Sequence, residues 1–288
     1  LTGNLPVELS LVRNVEHMYL NHNLLTGSLP STLGVLTNLE ELSLDHNRLT
    51  GSLPETLSNL TKLQYLLMGN NYLTKSIPNE LSAMHNLVHL NLLNCLLTGS
   101  IPRSVGNLER LEDLILQGNS LSGSVDGIFN NSAQMGLRMI DVSNNVLTGE
   151  IPDGIFALPQ LLTLVLSVNC FTGTLPVALC DASNLIILSM DGLRGSTQCP
   201  DTFTMPLSGV PLFNYMEGSI PACVWSLPNI SSLHMAGNGL TGTIGSPLED
   251  SSLHDVMLSH NQLSGTLPSG IRDLPFLDVS YNKLSGHF

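Results

Sequence analysis

The sequence predicts an α/β repeat solenoid of about twelve coils, with one parallel sheet along its concave face and loops or single helical turns opposite. Three observations predict it. A hexad, Leu25-Thr26-Gly27-Ser28-Leu29-Pro30, returns 24 residues later as Leu49-Thr50-Gly51-Ser52-Leu53-Pro54, then at Leu97, Leu147 and Phe171. An asparagine stands two residues ahead of the hexad at Asn23, Asn47, Asn71, Asn119, Asn145, Asn169, Asn214, Asn238, Asn261 and Asn282, with Cys95 and Leu193 at the two exceptions. Ahead of the asparagine runs a Leu-x-x-Leu-x-Leu spacing, as in Leu39, Leu42 and Leu44. A fixed period of this length is the signature of a stack of like units.

Each element of the coil has a physical reason. Leu42 and Leu44 point the same way on a short strand, because strand side chains alternate. Stacked strands form a parallel sheet, and their inward leucines form one column. Asn47 turns the chain, and its amide can serve backbone groups of its own and neighbouring coils, so the asparagines form a buried ladder. Cys95 is a small stand-in with a weak thiol donor. Gly51 permits a bend with positive φ. Pro54 opens the return segment, where no strand hydrogen bond is asked of it. One coil cannot bury its leucine face alone, so stability comes from neighbours.

The pattern Leu-x-x-Leu-x-Leu-x-x-Asn-x-Leu-x-Gly-x-Ile-Pro resembles plant-type leucine-rich repeats. These occur in ectodomains of receptor-like kinases and receptor-like proteins and in polygalacturonase inhibitors, with relatives in algae and protists. The resemblance covers nearly the whole chain and implies a leucine-rich-repeat superhelix in which the Leu-x-Gly-x-Ile-Pro part adds a second strand. The paired-cysteine caps of plant receptors are absent, as is any kinase sequence. Residues 1–288 read as a single solenoid truncated at both ends, since the chain opens on a hexad at Leu1 and closes just after one. The step from Leu121 to Leu147 is 26 residues, which predicts a small bulge from Asn130 to Gln134. From 193 to 215 the pattern fails, with Pro206, Gly209 and Pro211 where leucines belong, and a degenerate coil or loop is expected.

Composition excludes several classes. The net charge is −13, with only 10 Lys and Arg, so the chain repels phosphate backbones and nucleic acid is not an expected partner. No apolar run reaches the ~20 residues that span a bilayer. Gly237-Asn238-Gly239-Leu240-Thr241-Gly242 has the spacing of a phosphate-cradling turn but falls on the asparagine landmark, without the strand and helix that chemistry needs. No zinc-protease, paired Cys-x-x-Cys or nucleophile-elbow motif occurs, so no catalysis and no cofactor are expected. His22, His46 and Asp45 fall close in the repeat, but their ligand count is not evident in one dimension, and no metal site is assigned.

The residues between inward leucines face out across the sheet. In the early coils they are His17, Tyr19, His22, Glu41, Asp45, His46, Tyr65, His89 and Asp113. This polar, aromatic-studded patch suits a protein, peptide or glycan partner. His22 and His46 are repeat equivalents and are expected to be neighbours. Sequons at Asn59, Asn130 and Asn229 offer N-glycan acceptors if the chain is secreted. Cys199 and Cys223 lie one period apart, which predicts a disulfide between adjacent coils, with Cys180 to Cys199 as the alternative. The leading functional expectation is an extracellular or cell-surface recognition module. Two others stand beside it: a structural subunit of a matrix, coat or filament that assembles laterally, and a secreted enzyme inhibitor.

Overall fold

In the computed structural model, the residues described are 1–192, 199, 203–204, 211–212, 215–272 and 274–286. The chain divides into two compact units. The first holds residues 1–123 and 127–142, the second residues 124–126 and 143–288.

In the first unit the Leu-x-Leu spacing forms strands at His17–Tyr19, Glu41–Ser43, Tyr65–Leu67, His89–Asn91, Asp113–Ile115 and Met139–Asp141. They pair in parallel, each with the next coil's, so Met18, Leu42, Leu66, Leu90, Leu114 and Ile140 stack in register. All six are buried, because the middle residue of each strand faces inward. We call these the first strands. The hexads form a second parallel ladder at Thr2–Asn4, Leu24–Ser28, Arg48–Gly51, Tyr72–Lys75, Leu96–Ser100 and Ser120–Gly123. The resemblance implied this second strand. Gly27 and Gly51 take φ of 74° and 78° at its bend, and Lys75 takes 68° at the equivalent place. After Pro6, Pro30, Pro54, Pro78 and Pro102 the chain makes a single 3-10 turn, as at Ser31–Val35.

The asparagine ladder is as the repeat predicts. Asn47 Nδ2 donates to the carbonyls of Leu20 at 2.9 Å and Leu44 at 3.0 Å, and its Oδ1 accepts the Leu25 amide at 3.0 Å. Asn71 repeats this with Leu44, Met68 and Leu49. Each side chain thereby ties three backbone groups that a corner would otherwise bury unpaired. The bulge at 130–134 is pinned by Gln134, a buried side chain that accepts the Asn130 amide at 3.0 Å and donates to the Val105 carbonyl at 3.2 Å.

In the second unit the first strands are Thr163–Val165, Ile187–Ser189, Ser232–His234, Asp255–Met257 and Phe276–Asp278. Here the strand pairing departs from the even step of the repeat. Ile187–Ser189 pairs directly with Ser232–His234, and the second strand Cys170–Thr174 pairs directly with Tyr215–Glu217. Asn238 donates to Met190, 48 residues back, where Asn47 reaches back 27. One coil therefore runs from Ile187–Ser189 to Tyr215–Glu217, with an insert between its two strands. Most of 193–215 lies outside the described residues. Within it Phe203–Thr204 and Pro211–Leu212 form a short antiparallel pair.

The disulfide expectation is corrected for the same reason. Cys199 bonds Cys170, and Cys223 bonds Cys180, with Cα atoms 5.6 and 5.5 Å apart. Cys199 sits in the insert, so its 24-residue distance from Cys223 measures no step of the stack. Cys180 and Cys223 lie in successive turns, Val177–Asp181 and Ala222–Ser226, which the insert separates in sequence but not in space. Cys95 remains a buried free thiol.

Candidate functional site

The nine outward residues of the early coils all lie in the first unit, and the register sorts them. His17, Glu41, Tyr65, His89 and Asp113 occupy one row, the first position of five successive strands. Strands in a sheet stand ~4.8 Å apart, so neighbouring side chains of such a row must touch.

Contacts resolve the patch into three groups. In the first, the Tyr19 hydroxyl donates to Glu41 Oε2 at 2.7 Å, and His17 Nδ1 stands 3.7 Å from the same oxygen. That hydrogen bond, with minor burial and the carboxylate's charge, pushes the Tyr19 phenol above its ordinary pKa. In the second, the rings of His22 and His46 stack with centroids 4.3 Å apart, beside Asp45. In the third, Tyr65 and His89 stack at 4.8 Å, and His89 Nδ1 pairs with an Asp113 carboxylate oxygen. Tyr65, His89, Asp113 and Ile115 border a hollow of about 250 Å³. Leu67, Leu90 and Asn91 complete its lining, so apolar and polar side chains share it.

Asp45 and His46 follow a strand rather than lie on one. Their direction is set by the corner: His22 and His46 hold φ of 52° and 55°. That left-handed conformation favours short polar side chains and turns the ring out of the sheet.

The second unit carries a further group that sequence reading missed. His234 Nε2 lies 2.8 Å from Asp255 Oδ2, and Asp191 Oδ1 accepts the Ala236 amide at 2.7 Å. Burial pushes the Asp191 carboxyl up; Asp255 adds to that, while the Ala236 amide and His234 oppose it. His234 stands at the third position of its strand, in register with Ser189 and Met257, so it is no repeat equivalent of His17 or His89, which hold first positions. The three sequons also separate. Asn59 and Asn130 are exposed; Asn229 is exposed too, but its Nδ2 donates to the Ser183 carbonyl at 2.9 Å. The glycine run at 237–242 is part of the repeat: Asn238 within it is a buried ladder residue.

A family model described as "Leucine rich repeat" matches residues 13–73 and 37–97, and a second of that description matches 136–158 and 252–274. Receptor-like protein 41 of Arabidopsis thaliana is 37% identical over 75 residues, which is 25% of this chain and 8% of that protein. A plant peptide hormone receptor, RGFR1 in complex with RGF2, superposes with a TM-score of 0.86 at 31% identity, covering 98% of this chain and 42% of that one. The Arabidopsis receptor kinase HAESA ectodomain, in complex with a peptide hormone, gives 0.83 at 34% identity, covering 100% and 45%. The chain thus spans less than half of these structures and under a tenth of that curated relative. Among the described residues, no helix is long and apolar enough to cross a membrane.

Proposed function

Since this chain belongs to the plant-type leucine-rich-repeat proteins, we propose that it is a recognition module of the cell exterior. Its ligand, a peptide or protein, lies on the first-strand face of the first unit. The observation that carries this reading is the row His17, Glu41, Tyr65, His89 and Asp113, with the hollow between Tyr65 and Asp113. Stacked aromatic rings beside Leu67 and Ile115 supply contact area at low entropic cost, and the carboxylates select charge. With Glu41, Asp45 and Asp113 in the patch and a net charge of −13, the face favours a basic ligand. The two similar structures were determined with peptide hormones bound, which supports a peptide here. Two disulfides support an oxidising compartment.

The test is a displayed peptide library panned against the chain, with the selected peptides then measured on the parent and on Tyr65→Ala with His89→Ala. Binders that compete with one another and lose about tenfold or more in affinity, ~1.4 kcal/mol or more, support this face. Binders indifferent to the double substitution sink it.

A further inference from the structure

The corner after each first strand carries a column of side chains distinct from the row above. His22, His46, Asn70 and Asn94 hold equivalent places in four successive coils, all with left-handed backbone, at φ of 52°, 55°, 54° and 49°. The two imidazoles stack. Asn70 Nδ2 donates to His46 Nε2 at 3.2 Å, and Asn94 Nδ2 donates to Asn70 Oδ1 at 3.0 Å. Beside the imidazoles stands Asp45. Ser43 Oγ donates to its Oδ1 at 2.7 Å, which leaves Oδ2 facing His22, 4.0 Å from Nε2.

We propose that His22, Asp45 and His46 bind a late first-row divalent transition metal, for which Zn²⁺ is the probe. One ligand atom from each residue lies within 4.8 Å of the others. Two atoms bound to one zinc at ~2.0–2.2 Å stand at most ~4.4 Å apart. Closure is therefore a matter of side-chain torsion alone: the exposed rings turn out of their stack, and the amide column of Asn70 and Asn94 turns over with them. The backbone already holds the groups in place, since His22 N donates to the Asp45 carbonyl and His46 N to the Gly69 carbonyl, each at 2.9 Å. Ser43 orients the carboxylate from behind, as outer-shell partners of metal ligands do.

The chemistry of the donors selects the ion. Two imidazoles and one carboxylate suit zinc, nickel or copper; calcium asks for six to eight oxygens. Three protein ligands leave a position open for water or for a side chain of a bound partner. The column alone does not explain this arrangement. Asn70 and Asn94 occupy the same corner without imidazoles, and the equivalents of Asp45 are Asn21, Gly69 and Leu93. Among the described residues, no other three ligand-forming side chains lie so close.

The experiment is calorimetric titration of the chelator-stripped chain with zinc chloride, for the parent, His46→Asn, His22→Asn with His46→Asn, and His89→Asn. Asparagine is chosen because Asn70 and Asn94 show that the corner accepts it, so the variants keep their fold. The expected result is one zinc per chain with low-micromolar affinity. His46→Asn should weaken it at least tenfold and the double variant abolish it, while His89→Asn leaves it unchanged. Zinc should also shift the ring signals of His22 and His46 in the NMR spectrum. No zinc binding by the parent overturns the proposal. So does undiminished binding by the double variant, or an equal loss in His89→Asn. None of these outcomes bears on the peptide test at Tyr65 and His89, so the two readings fail separately.

Discussion

The Cys95 thiol donates to the Met68 carbonyl at 3.5 Å, in the place where the neighbouring coils set an asparagine amide. Burial pushes this thiol's pKa up, against the backbone amides of Asn71 and Leu73, which face the sulfur and pull it down. A thiol gives one weak donor and a weak acceptor, whereas Asn47 and Asn71 each tie three backbone groups. The Leu73 amide, whose counterparts Leu25, Leu49 and Leu97 each donate to an asparagine oxygen at 3.0 Å, has only sulfur at that corner.

Cys95→Asn should therefore stabilise the chain by about 1 kcal/mol, since it adds net hydrogen bonds at an already shaped site. Asn71→Ala should destabilise it by roughly 2–4 kcal/mol, because buried backbone groups lose their partner. Urea unfolding of the two variants beside the parent checks both. A Cys95→Asn chain less stable than the parent would show that the corner is shaped for sulfur.

The pairing of the cysteines predicts one reactive thiol in the unreduced, unfolded chain, at Cys95. Alkylation and peptide mapping should recover linked peptides joining Cys170 to Cys199 and Cys180 to Cys223. A Cys199–Cys223 peptide would contradict the insert's path. Replacing Cys180 and Cys223 together by alanine should cost about 2–4 kcal/mol on the loop-entropy account.

The sequons should be used unequally. In chain expressed through a eukaryotic secretory pathway, glycans are expected at Asn59 and Asn130 and at lower occupancy on Asn229, whose amide nitrogen is bonded to Ser183. Mass spectrometry of glycosidase-treated peptides gives the occupancies. Full use of Asn229 would mean that the sugar is added before this bond forms.

Asp191 predicts a pH dependence in the second unit. Its folded pKa is raised above the ordinary carboxylate value, chiefly by burial. The folded chain therefore takes up a proton at a pH where the unfolded chain is still ionised. By linkage, this group's contribution to stability is fully present below the unfolded pKa and is lost as pH rises through the folded one. Asp191→Asn mimics the protonated form and keeps an acceptor for the Ala236 amide. It should raise Tm at pH 7, with the gap to the parent narrowing toward pH 4. A constant gap across that range would assign the effect to packing instead.

The period of 24, the leucine spacing and the asparagine landmark were enough to determine the local coil, because each is a short-range consequence of strand alternation and of a corner that must satisfy its own backbone. Adjacent neighbours also followed from the period alone: His22 does stack on His46, and Cys95 does stand in the ladder. What the sequence could not settle begins where the count by 24 fails. The insert between Ile187–Ser189 and Tyr215–Glu217 breaks the even step, and with it went the predicted Cys199–Cys223 bond. A repeat reports position only modulo its period, so a segment of nearly one period looks like another coil until strand pairing shows that it adds none. Side-chain direction at the corners was likewise decided in three dimensions. The left-handed backbone at His22 and His46 sets where the two stacked imidazoles stand beside Asp45, and no one-dimensional spacing carries that angle.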